Sequence, residues 1–222
     1  MIRLRPLALA LAVALGFGAL AAQGATPRLA GKLIWADLVT DDVATARGFY
    51  GALFGWTFSE SGDYLIAANG EQPLAGLFQR PRPKDQPGQA RWVSFVSVQD
   101  VGRAELAVTA AGGTVLIPAQ DFPRRGRQAV FADPEGALLG VLHSRSGDPD
   151  DYLPEPGDWI WIQLLTRNGE RAARFYESLG GYRAIANPTS DAASNFLLVT
   201  GGYARAAMTS IPPQSDQIKP SW

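Results

Sequence analysis

Trp35 and Asp37 stand two residues apart in "KLIWADLVT" and hold the clearest chemistry this chain offers. An indole supplies flat apolar surface with a single N–H donor. A carboxylate accepts hydrogen bonds, holds a cation or takes a proton. Other reactive types are scarce. The 222 residues contain no cysteine and one histidine, His143, so thiol chemistry is excluded and a Ser-His-Asp arrangement has a single candidate base. No G-x-S-x-G elbow or phosphate loop occurs. "GFGALA" at 16–21 only half-matches a dinucleotide fingerprint and sits within residues 1–25, which read as an export signal.

The elements around Trp35 and Asp37 decide where they point. "KLIWADLV" alternates as a strand, with Ile34, Ala36 and Leu38 on one face and Trp35, Asp37 and Val39 on the other. "TDD" offers capping oxygens to a helix that spaces Val43, Ala46, Tyr50 and Leu53 along one side, and Gly55 stops it. Three short strands follow in "WTFSE", "YLIAA" and "PLAGLFQ". On this reading Phe49, Tyr50, Phe175 and Tyr176 are helical core residues facing a sheet.

The same grammar recurs twice. "WVSFVSV", a helix capped by Asp100 and ended at Gly112 and Gly113, then "TVLIP", "RQAVFA" and "ALLGVLH" make a second strand–helix–three-strand module, with "DPEG" at 133–136 as a tight turn. A third spans 157–211 and copies the first literally. Trp161 and Trp35 differ by 126 positions, as do Phe175 and Phe49, and Gly31, Ile34, Leu38, Thr40, Ala46, Tyr50, Leu53 and Gly55 recur at the same offset. A period this long marks a duplicated domain. "PPQSDQIKPSW" repeats the linker "RPKDQPGQARW", making Trp222 the counterpart of Trp92. The expected domains are 31–147, with modules 31–80 and 92–143, and 157–222 as the first half of a second copy. The alternatives for the third module are a truncated sequence and a homodimer in which its open edge pairs with a second chain.

Residues 1–25 read as an export signal: Arg3 and Arg5 precede an apolar run rich in small residues, too short for a stable membrane anchor. An uncleaved anchor is the alternative. A periplasmic or secreted location is therefore expected. The formal net charge is −1, without the basic stripe a nucleic-acid partner requires. "PRRGR" at 123–127, the densest basic cluster, is expected as a solvated hairpin rim.

Paired modules of this kind, with "FYGALFGW" closing the first helix and "GRQAVFADPEGALLGVL" closing the second module, resemble the vicinal oxygen chelate superfamily of glyoxalase I, bleomycin-resistance proteins and extradiol dioxygenases. "WADLVTDD" is similar to the opening strand of its tandem bacterial glyoxalase-like members. The resemblance implies an α+β fold in which paired βαβββ modules form an open eight-stranded half-barrel, here with a third, unpaired module. It also implies metal ligands projecting inward from the first and last strands of each module. Carried onto this sequence, those stations fall at Trp35, near Gly76, at Val93 and at Gly140, with Trp161 and about Ala207 in the partial copy. None of these side chains can ligate a divalent ion. Alternation turns His143 away from the cavity side. No metal site and no cofactor are expected.

Trp35 is then either core packing or a stacking surface for a planar or hydrophobic molecule. Asp37 shares its face and could serve as a base, but its counterpart Gln163 cannot titrate, which favours hydrogen bonding. Phe95 and Ser97 follow the parity of Val93 and extend the same lining. Arg127 could meet an anionic ligand or stand as a solvated charge. The expectation is an exported protein binding a small apolar or aromatic molecule without metal, through Trp35, Asp37, Val93, Phe95, Ser97, Arg127 and Gly140. The alternative is a lyase or isomerase using a non-standard site.

Overall fold

The computed structural model describes residues 28–81, 90–179, 181–190 and 195–222; the expected export signal lies outside them. Module one runs β1 (Leu33–Thr40), α1 (Val43–Phe54), β2 (Thr57–Ser61), β3 (Tyr64–Asn69) and β4 (Gln72–Gln79). Module two runs β5 (Arg91–Ser97), α2 (Val101–Ala110), β6 (Thr114–Phe122), β7 (Gly126–Ala132) and β8 (Leu138–Ser144). Module three runs β9 (Gln163–Thr166), α3 (Gly169–Ser178), β10 (Arg183–Ala186), β11 (Phe196–Thr200) and β12 (Tyr203–Ser210).

The helices start where short polar side chains satisfy backbone donors left free in the first turn. Asp42, Asp100 and Asn168 accept from the amides of Thr45, Arg103 and Arg171. Gly55 ends α1 in the left-handed conformation, φ 73°, with its amide on the Gly51 carbonyl. Among the described residues no helix is long and apolar enough to cross a membrane.

Modules one and two share one sheet in the order β2-β3-β4-β1-β5-β8-β7-β6. Its centre is the antiparallel pair β1–β5, flanked by β4 parallel to β1 and β8 parallel to β5. The helices cover one face and leave the other as a trough. Alternation along β1 sends Ala36 and Leu38 to the helix side, where both are buried, and Trp35, Asp37 and Val39 to the trough. Module three forms its own sheet, β10-β11-β12-β9. Its helix packs against module two, so one core joins Phe175 and Tyr176 to Val108, Phe131 and Leu139.

Not every helical aromatic is buried. Phe175 is 2 % exposed, but its counterpart Phe49 is 58 % exposed and Leu53 57 %. The expectation that both pairs are core is thus corrected for Phe49, and the apolar spacing of α1 does not bury Leu53. Phe175 has the ring of Phe131 against it, whereas α1 contributes no fully buried residue and only Val43, Ala46 and Tyr50 turn toward the sheet.

The duplication extends to single hydrogen bonds. Trp92 Nε1 donates to the Tyr50 hydroxyl at 2.9 Å, and Trp222 Nε1 donates to the Tyr176 hydroxyl at 2.8 Å. Val39 pairs with Arg91, and Leu165 makes the equivalent bridge to Ser221.

Candidate functional site

The trough has a volume of about 2020 Å³, larger than a typical drug-sized pocket. Aromatic and aliphatic side chains, including Trp35, Phe78, Phe95, Phe122 and Leu142, line most of it.

Asp37 lies at its floor, 6 % exposed. A buried carboxylate must have its lone pairs satisfied. Trp35 Nε1 donates to Oδ1 at 2.7 Å, the Tyr64 hydroxyl donates to the same oxygen, and Arg125 Nη1 donates to Oδ2 at 2.8 Å. Trp35 Nε1 also lies 2.9 Å from the Tyr64 hydroxyl, closing the network. Burial first, and the Asp37 charge second, push the Tyr64 phenol above its ordinary pKa, so it stays a donor. The Arg125 guanidinium lies over Phe95, 4.3 Å from the ring centroid, and 5.3 Å from Trp35. A charged pair is held between two aromatic faces.

Two glycines make this possible. The position a Cβ would take on Gly76 is 1.6 Å from the Tyr64 hydroxyl oxygen, and on Gly140 it is 2.3 Å from Phe95 Cδ1. Neither glycine stands as an empty wall of the trough; each is covered by an aromatic side chain. The register also separates the stations. Asp37 faces Gly76 on one side and Val93 on the other, while Trp35 faces Phe95, which in turn faces Gly140. In module three Gln163 faces Ala207, as Asp37 faces Gly76.

Of the residues singled out from the sequence, Trp35, Asp37, Val93 and Phe95 lie together on the trough lining. Ser97 does not reach it: fully buried, its hydroxyl donates at 2.6 Å to Oδ2 of Asp148, which does line the trough. Gly140 supports Phe95 from below. Arg127, expected either to meet an anionic ligand or to stand as a solvated charge, takes the second place and leaves the lining. Its guanidinium pairs with Asp121 at 2.8 Å in an exposed contact, because β7 alternates and it is Gln128 and Val130 that point into the trough. The cation paired with Asp37 is Arg125, from the "PRRGR" turn expected to be solvated rim. His143 follows its outward parity, its Nδ1 3.3 Å from the Val98 carbonyl oxygen.

The sequence reading missed Tyr64, Arg125 and Gln128. Gly76 was the available signal for Tyr64, since a glycine inside a strand often marks a close approach. Arg125 lies in a turn, where no periodicity tells inside from outside.

Comparison with known proteins follows this geometry. A family model for the Glyoxalase/Bleomycin resistance protein/Dioxygenase superfamily matches residues 32–141. The chain belongs to that superfamily. A Mycobacterium tuberculosis protein named "Putative glyoxylase CFP32" is 29 % identical over 185 residues, covering 81 % of this chain and 70 % of that protein. DauV of Streptomyces sp. strain C5, named an anthracycline biosynthesis protein, is 32 % identical over 168 residues, covering 68 % and 61 %. Among solved structures, a Mn(II)-bound glyoxalase from Novosphingobium aromaticivorans superposes with a TM-score of 0.61 at 18 % identity, over 84 % of this chain and 64 % of that one. The homoprotocatechuate 2,3-dioxygenase of B. fuscum gives a TM-score of 0.59 at 15 % identity, over 84 % of this chain and 55 % of that one. The chain thus spans less than two thirds of either solved structure, and at these identities the likeness is one of fold.

A metal-bound neighbour raises the question of whether this trough suits a metal. Divalent ions at such sites need imidazole, carboxylate or thiolate ligands. Asp37, which pairs with the stations Gly76 and Val93, carries a carboxylate but already accepts three hydrogen bonds. Gly76, Val93, Phe95 and Gly140 beside it offer no side-chain lone pair. Among the described residues, no group of three or more His, Cys, Asp or Glu is placed to hold a metal ion. The donor set does not fit one.

Proposed function

We propose that this chain is an exported binding protein that holds a small apolar or aromatic molecule in the trough between modules one and two, without a metal ion. The observation that carries the reading is the floor itself. Asp37, the one side chain there that could ligate a cation, has both oxygens engaged by Trp35, Tyr64 and Arg125. Around it Trp35, Phe78, Phe95 and Phe122 supply flat surface. DauV, named an anthracycline biosynthesis protein, is a relative in keeping with such a ligand. Export rests on the two arginines and apolar run at the start of the sequence. The competing reading, a lyase or isomerase, would ask Asp37 or Tyr64 to accept a proton. A carboxylate holding three donors and a phenol kept protonated favour binding over proton transfer.

Calorimetric titration with 2-methylnaphthalene, in excess chelator, tests this. Saturable binding is expected, and Trp35→Ala should weaken it at least about tenfold by removing one stacking face. Binding that disappears with chelator, or a transition metal retained stoichiometrically through purification, would overturn the metal-independent reading.

A further inference from the structure

We infer that the preferred ligand carries a carboxylate, or an equally planar two-oxygen anion, that docks on Arg125; the inference rests on the binding reading above. A guanidinium has five N–H donors in a fixed plane. Arg125 uses Nη1 on Asp37. Its Nε and Nη2 are buried and find no hydrogen-bond partner among the described residues. These two nitrogens flank the side edge of the guanidinium, where parallel N–H groups match the two oxygens of a carboxylate. Asp37 is therefore only half of the arginine's partnership. It fixes the plane from the Nη1 side, Phe95 and Trp35 hold that plane from its faces, and the fork is left over.

Leaving two charged donors unpaired in a buried place is costly, and the fold accepts that cost at this one cleft residue. A second orphan lies on the same lining. Gln128, 8 % exposed, has an Oε1 with no partner, ready to accept from an O–H or N–H elsewhere on the same molecule. Four arginines face three aspartates along the trough; Asp37 has both oxygens engaged, whereas Asp148 accepts only through Oδ2 and its Oδ1 has no hydrogen-bond partner, lying 3.8 Å from Arg28. The two nitrogens are shut off from solvent. A ligand reaches them by shifting the short turn at 123–125, whose Pro123 and Arg124 are themselves exposed.

Calorimetry with 2-naphthoate and 2-methylnaphthalene, which share a ring system and differ in the two oxygens, tests the assignment. Wild-type protein should prefer the carboxylate at least about tenfold. In Arg125→Lys, which keeps the positive charge but has no planar fork, that ratio should fall toward one, with thermal unfolding reporting whether the variant is folded. Equal affinity of wild type for the two probes would overturn the carboxylate assignment while leaving the binding proposal standing. Failure of both probes to bind would instead remove the binding proposal. A preference that survives unchanged in Arg125→Lys would place the anion elsewhere.

Discussion

Asp133 shows how one carboxylate ties two modules together. It opens the "DPEG" turn, where Oδ1 accepts from the Glu135 and Ala137 amides, and Oδ2 accepts from the Tyr176 hydroxyl of module three at 2.9 Å. Burial, and then the Asp133 charge, raise the Tyr176 pKa well above its ordinary value, so the phenol remains the donor. Removing the acceptor strands three donors in a buried place. Asp133→Ala should therefore cost about 3 kcal/mol and lower Tm by roughly 6–12 °C in a thermal melt. A change within about 0.5 kcal/mol, the range of ordinary surface substitutions, would show that these bonds are compensated. Asp37 was legible from the sequence because it shares a strand face with Trp35. Arg125 was not, since strand alternation gives out in the turn before β7, and the neighbouring Arg127 drew the assignment. At this scale parity predicts well inside strands and not at all two residues outside them.

The connecting segment after β8 is the element that fastens module three to module one. Asp151 on this segment pairs with Arg205 of β12 at 2.6 Å and with Lys32 at 3.1 Å. The Arg205 hydrogen bond foremost, with Lys32 after it, lowers the Asp151 pKa from 3.8 to about 2. A carboxyl depressed on folding contributes stability that is full above its unfolded pKa and is lost as pH falls through the folded one. The clamp should therefore weaken between pH 4 and pH 2. Asp151→Asn should flatten the acid limb of stability in that window by lowering stability at pH 7 toward its acid value, by a modest amount because Asp151 is exposed and surface pairs contribute little. Hydrogen exchange of β12 across that range is the measurement; identical acid profiles for variant and wild type would discard the clamp. The elements themselves were readable from alternation, caps and left-handed glycines. Burial of α1 was not, because Phe49 and Phe175 occupy identical positions in the repeat. Only the neighbour differs, and no local pattern encodes a neighbour.

Across the whole molecule, the internal offset of 126 residues allows each surface of module three to be compared with its counterpart in module one. The trough edge of β1 is covered along its length by β5, from Leu33 to Val39. Among the described residues the corresponding edge of module three has one bridge, Leu165 to Ser221, and ahead of it Ile160 is 76 % exposed and Trp161 41 %. Ile160 and Trp161 precede β9 rather than lying within it, and an exposed apolar segment that leads into an open strand edge recruits another strand unless something shields it. A second copy of the chain is the occupant we propose, because antiparallel pairing of residues 159–164 with themselves is symmetric about a twofold axis and closes without leaving a further edge. Light scattering should then give twice the monomer mass at the highest soluble concentration. Ile160→Lys, which puts a charge on that edge, should return the monomer without changing trough binding, since Ile160 lies outside its lining. A wild-type protein that stays monomeric as concentration rises would rule out the pairing. A dimer unmoved by Ile160→Lys would shift the interface to another exposed apolar surface, such as α1 with Phe49, Leu53 and Phe54.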